Sequence, residues 1–116
     1  MTLRRWLAAD LLAAALAAAP ATAAHAADLA RAEEIVNGKC FICHGIAGET
    51  SSQAFPRLAG QHAKYLARQL ADFQSGRRKS GTMQPMVEGL TSSDFDALGA
   101  YFESRPAVSS NEETGT

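Results

Sequence analysis

The sequence predicts an all-α domain of three main helices joined by long loops. Three observations predict it. Apolar residues recur at three- and four-residue spacing in three separate stretches, as on helices buried along one face. No stretch shows the apolar–polar alternation of a half-buried strand. The two long segments between the helical stretches, residues 45–60 and 77–89, have no period of their own. Loops of that length in a chain this small need something to pack against.

The elements follow in order. Arg4 and Arg5 precede an apolar Leu/Ala run to about Ala19, then Pro20 and the small-x-small sequence Ala24-His25-Ala26. That is the three-part layout of a secretory signal peptide, with Asp10 as a blemish in the apolar part. The run from Leu11 to Ala19 is well short of the roughly 20 residues that span a bilayer. Residues 1–26 are therefore expected to be removed on export, leaving no transmembrane segment in the mature protein. The competing reading is an Ala-rich amphipathic helix that is retained. Residues 27–106 form the domain and residues 107–116, polar and acidic, a flexible tail.

In the first helix Leu29, Ala32, Ile35 and Val36 share a face, with Arg31, Glu33 and Glu34 opposite. The second is "QHAKYLARQLADFQSG". Leu66, Leu70 and Phe73 form its stripe, Tyr65 and Gln69 its edge, and Gly76 its stop. The third begins at Thr91, followed three residues on by Asp94 in a weaker form of the capping box. Its apolar face is Phe95, Leu98, Gly99 and Phe102, and Pro106 lies beyond its end.

Composition narrows the function. Without the leader the chain carries nine basic and eleven acidic residues, formally −2, which gives no reason to expect nucleic acid or a membrane surface as partner. A domain of about 90 residues buries only ~60% of its unfolded surface and is marginal without a disulfide, a metal or a large prosthetic group. Both cysteines lie in "KCFICHG", with a histidine directly after the second. A dithiol redox pair would start a helix after a strand, and a helical period precedes this one. A structural zinc site wants four ligands, and only Cys40, Cys43, His44 and His62 remain after export. A Cys40–Cys43 disulfide would close too short a loop to stabilise much.

A covalent haem accounts for each part of the motif. Two cysteines three apart can each add to one of the two vinyl groups on the same porphyrin edge, and His44 then stands under the iron. Export agrees, since c-type haem in bacteria is attached outside the cytoplasm. The sixth iron position decides between electron transfer and ligand chemistry. Met83, Met86 and His62 are the candidates, the two methionines lying in the loop "SGTMQPMVEGL".

The run of helix, "CFICHG", "FPRLAGQHAKYLARQLADFQSG", methionine loop and "LTSSDFDALGAYF" resembles a class I cytochrome c. It is most similar to one half of the di-haem cytochrome c4 type, or to single-haem c553-like proteins, from about Ala32 to Phe102. The resemblance implies a class I cytochrome c fold around one haem c attached through Cys40 and Cys43. It implies His44 and Met83 as axial ligands, Met83 being seven residues before Leu90 at the opening of the last helix. It also implies that the Pro56 carbonyl accepts from the His44 ring, that Leu58 packs on the porphyrin, and that Tyr65 and Arg77 meet the propionates. Arg77, Arg78 and Lys79 can equally be read as a solvated basic turn. Ala32 and Val36 depart from the family's commoner glycine and aromatic, which bears on how closely the first and last helices cross.

The expected function is one-electron transfer by a periplasmic mono-haem carrier, a monomer and not an enzyme. Its donors and acceptors would be redox proteins such as respiratory complexes, oxidases or dehydrogenases. The alternatives are an electron-transfer subunit permanently docked on an oxidase or dehydrogenase, and a haem sensor or peroxidase-like enzyme with a labile methionine.

Overall fold

The computed structural model describes residues 22–107; the leader up to residue 21 and the tail from residue 108 lie outside the described residues. Five helical segments follow in order and no strand occurs among the described residues. The first, α1, covers 22–35. A wider turn, Val36–Cys40, leads from it into the short α2, Phe41–His44. Then come α3, Ala63–Ser75, the short α4, Met83–Val87, and α5, Ser92–Glu103. Among the described residues no helix is long and apolar enough to cross a membrane.

The first helix is longer than the periodicity predicts. It runs unbroken across the expected 26/27 boundary, with residues 22–31 exposed, and meets the core only from Ala32 onward. Its far end widens to π geometry, the Phe41 N–H donating to the Val36 carbonyl five residues back. The predicted Gly76 stop is present, with φ +78 in the left-handed region that glycine enters freely.

The last helix starts on a full capping box. The Asp94 N–H donates to Thr91 Oγ1 at 3.2 Å, and the Thr91 N–H donates to Asp94 Oδ2 at 3.0 Å. Asp94 has a second role invisible to helix periodicity. The Arg31 Nε donates to its other oxygen at 3.1 Å and ties α1 to α5. That guanidinium, with the Thr91 bonds, holds the buried Asp94 carboxyl below its usual range.

Segment 77–89, expected to be irregular, contains α4. Pro85 does not forbid it. It occupies the third helical position, in the first turn, where a backbone N–H has no helical partner to lose. Ser80 starts the turn, its Oγ accepting from the Met83 N–H at 3.0 Å and its carbonyl from the Gln84 N–H at 3.1 Å.

Two apolar clusters hold the elements. Ala32, Ile35, Val36, Leu66, Leu98, Tyr101 and Phe102 join α1, α3 and α5. Phe73, Val87 and Phe95 join α3, α4 and α5. The fully buried Ala32 and Val36 thus pack against α5 despite their departure from the family pattern. Gly99 lets α5 touch the start of α3, because a Cβ there would collide with the Ala63 carbonyl.

Candidate haem site

The long 45–60 loop is closed on itself before it contributes to any site. The Gly48 carbonyl accepts from the Leu58 and Ala59 N–H groups at 2.9 and 3.1 Å. Gly48 has φ +73, and a Cβ there would meet Ala59 N at 2.7 Å and Phe102 Cδ1 at 2.9 Å. The last helix fixes the loop further. The Tyr101 hydroxyl donates to the Ile46 carbonyl at 2.7 Å, and the Gly60 N–H to the Phe102 carbonyl at 2.9 Å.

Against this frame lies a cavity of about 470 Å³, inside the range of roughly 300–1,000 Å³ usual for small-molecule and cofactor sites. Cys40 comes to it from the π turn, His44 from the end of α2, Pro56 and Leu58 from the closed loop, Tyr65 from α3 and Met83 from α4. Leu66, Leu70, Phe73, Leu98 and Phe102 supply apolar wall.

His44 is buried, and its Nδ1–H donates to the Pro56 carbonyl at 2.8 Å. That bond occupies one ring nitrogen and leaves Nε2 as the one able to ligate, with the ring orientation fixed from behind. Phe55 meets the ring edge-on at 6.2 Å. Neither cysteine is in a disulfide, and burial pushes the Cys40 thiol up, so it stays neutral.

Not every expected residue lines the cavity. Cys43 is half-buried and is not part of the wall. Met86, 37% exposed, also stands off it, whereas Met83 is half-buried within it. His62 has a side chain 87% exposed beside Glu103.

Arg77 is placed away from the cavity, its side chain 75% exposed and 3.9 Å from Asp72. The basic residues on the wall are Arg57, Arg78 and Lys79. The reversal at Gly76 accounts for the exchange. The Arg78 N–H donates back to the Asp72 carbonyl at 3.0 Å, and its guanidinium lies 4.6 Å over the Phe73 ring while donating to Gln69 Oε1 at 2.7 Å. A sequence reading cannot tell which of three consecutive basic residues a left-handed turn folds inward.

These residues fit a haem. The wall is mostly apolar, with one thiol, a free imidazole nitrogen and a thioether converging on it, and guanidinium and ammonium groups suited to the propionate carboxylates. A bare metal ion fits less well: among the described residues no three His, Cys, Asp or Glu side chains come close enough to hold one.

Comparison with known proteins places the chain. The sequence profile of the cytochrome c family matches residues 29–106. A cytochrome c4 from Thiocapsa roseopersicina is 38% identical over 86 residues, covering 74% of this chain and 44% of that protein. Cytochrome c-554(548) from Halomonas halodenitrificans is 36% identical over 83 residues, covering 69% of this chain and 99% of that one. A thiosulfate dehydrogenase electron acceptor from Stutzerimonas stutzeri is 44% identical over 69 residues, 59% of this chain and 32% of that protein. The chain thus spans less than half the length of the cytochrome c4 and electron-acceptor relatives it matches, and about the full length of the c-554(548) protein.

Proposed function

This chain belongs to the cytochrome c family, and from that premise we propose that it is a periplasmic mono-haem carrier of single electrons with His44 and Met83 as the axial ligands. A cytochrome c domain carries covalently bound haem c, and Cys40 and Cys43 have the attachment spacing. When bound, the group supplies a one-electron Fe(III)/Fe(II) couple.

The observation that carries the proposal is the His44 Nδ1–Pro56 bond at 2.8 Å, inside a cavity that Met83 also lines. His44 Nε2 is left to ligate, and the Pro56 carbonyl keeps the ring from turning. The Met83 thioether would be a soft second ligand that raises the reduction potential, and the apolar walls would keep water off. With His44 and Met83 both bound to it, the iron would have no position left for substrate chemistry. Arg57, Arg78 and Lys79 would hold the propionates, with Arg77 facing solvent.

In this reading residues 1–26 are a leader removed on export, residues 107–116 a flexible tail, and the mature protein a monomer. Its partners are redox proteins. The match to an electron acceptor of thiosulfate dehydrogenase supports donors of the dehydrogenase class. A permanently docked subunit would instead co-purify with its oxidase or dehydrogenase.

Optical spectra of the matured protein, wild type and Met83→Ala, test the proposal. Sharp low-spin bands are expected, with the weak red methionine-to-ferric-iron band present in the wild type and lost in the variant. A high-spin wild type would place the protein among ligand-binding haem proteins instead. Survival of the band in Met83→Ala would move the ligand to Met86.

A further inference from the structure

Helix α4 has too few residues to stand alone, since an isolated helix needs on the order of 12–15 residues to be even marginal in water. What holds its two ends therefore decides where Met83 sits. Ser80 caps the first end. At the other, Gln74, next to last in α3, reaches across the loop. Its Nε2 donates to the Val87 carbonyl at 2.9 Å and to the Leu90 carbonyl at 2.7 Å. Both partners only accept, so the amide must present its NH₂ to them, one hydrogen for each. Val87 is the last residue of α4, its carbonyl also accepting from the Leu90 N–H at 3.2 Å, and Leu90 lies just before α5. A single exposed side chain thus joins α3 to both ends of the 87–90 turn.

We propose that Gln74 is a positioning residue for the axial methionine: its two hydrogen bonds hold α4 against α3 and so set how readily Met83 leaves the iron. This rests on the reading of Met83 as ligand. Gln74 is not on the cavity wall, so it acts only through the segment it holds. The Val87 side chain, packed against Phe73 and Phe95, keeps the fold when the amide is lost. The effect is therefore on the lability of Met83 and not on whether the protein folds.

The test is imidazole uptake by the ferric holoprotein at saturating imidazole, where release of Met83 limits the rate. Gln74→Ala should raise that rate roughly tenfold, the order expected for one or two lost hydrogen bonds. Gln74→Glu keeps the shape but offers no donor and sets a carboxylate beside two carbonyls, so it should be at least as fast. Gln74→Lys, whose ammonium can donate to both carbonyls, should return most of the way to wild type. Ser75→Ala, one residue on, should leave the uptake rate unchanged, because the Ser75 hydroxyl bonds to Asp72 and Arg77 and not to the 87–90 turn. A merely structural role would lower the melting temperature of Gln74→Ala and leave the uptake rate alone; that result overturns the proposal, as does a Gln74→Glu variant that behaves like wild type.

If the Ala variant does not accumulate, the Glu and Lys variants decide between these outcomes. Failure of the axial reading would show separately, as a wild-type ferric spectrum without the methionine band or as survival of that band in Met83→Ala. Hydrogen exchange at the Gln84 and Leu90 amides then tests the tether itself. Faster exchange in Gln74→Ala or Gln74→Glu retains it, and equal exchange overturns it too.

Discussion

His44 and Pro56 show how much depends on which atom of a residue is used. The acceptor is a backbone carbonyl, so any residue at 56 can provide it if the loop keeps its path. Pro56→Ala should leave the optical spectrum unchanged and alter stability by about 1 kcal/mol or less, mainly through the unfolded chain, as denaturant melts would show. Met86→Leu should likewise keep the methionine band, because Met86 stands off the cavity. Asp94 behaves differently because its charge is in use. Its folded pKa is depressed below the ordinary 3.8, so its contribution is complete above that value and is lost as pH falls through the folded one. Asp94→Asn should therefore be less stable than wild type near neutral pH. The gap should close well below pH 3.8, as urea midpoints of both proteins across that range would show.

At the scale of elements, the packed crossing of α3 and α5 is set at Gly99. Gly99→Ala forces a methyl into the Ala63 carbonyl and should cost about 1–3 kcal/mol, measurable by thermal or denaturant melts. The helices that bury a face were legible from spacing alone. Leu66 and Phe73 are buried on α3, and Phe95, Leu98 and Phe102 on α5, as the stripes predict. The Thr91–Asp94 cap was legible too, because its signal is two residues at a fixed offset. The π turn and α4 were not. The first keeps a helix-like apolar spacing through Val36 and Cys40, so one extra residue per turn leaves no mark on the pattern. The second is set by long-range bonds from Gln74 and by burial of Val87, neither of which has a local signature. The same division runs through the site. Motif and resemblance name Cys40, His44, Pro56, Leu58, Tyr65 and Met83, which line the cavity, whereas Cys43 and Arg77, named in the same way, lie off its wall, and the path after Gly76 brings Arg78 to it instead.

At the scale of the molecule, the described residues form two small clusters of core side chains and a large cavity between helices and loops. A haem held there would fill the space that a larger domain fills with its own side chains, so binding and folding would be coupled. Protein produced without haem attachment should keep part of its helical circular dichroism, lose its near-ultraviolet signal, and bind a dye specific for exposed apolar surface. Charge is distributed in a way the net value hides. Arg57, Arg78 and Lys79 collect at the cavity, while Glu33, Glu34, Asp96 and Glu103 lie on α1 and α5.

The closure of the 45–60 loop also divides it into a part under constraint and a part that is free to vary. Gly48 joins Leu58 and Ala59 across its base, and the Arg57 Nε donates to the Thr50 carbonyl at 3.0 Å. Between those ties, residues 51–54 are exposed, and the Ser52 and Ala54 N–H groups bond only to side chains two residues back. Lengthening a loop whose ends are already held costs little, about 0.6 kcal/mol per doubling. The apex is thus a natural place to graft a peptide, a fluorophore or a surface-attachment tag: extra chain there would bulge into solvent while Pro56 keeps its hold on the histidine.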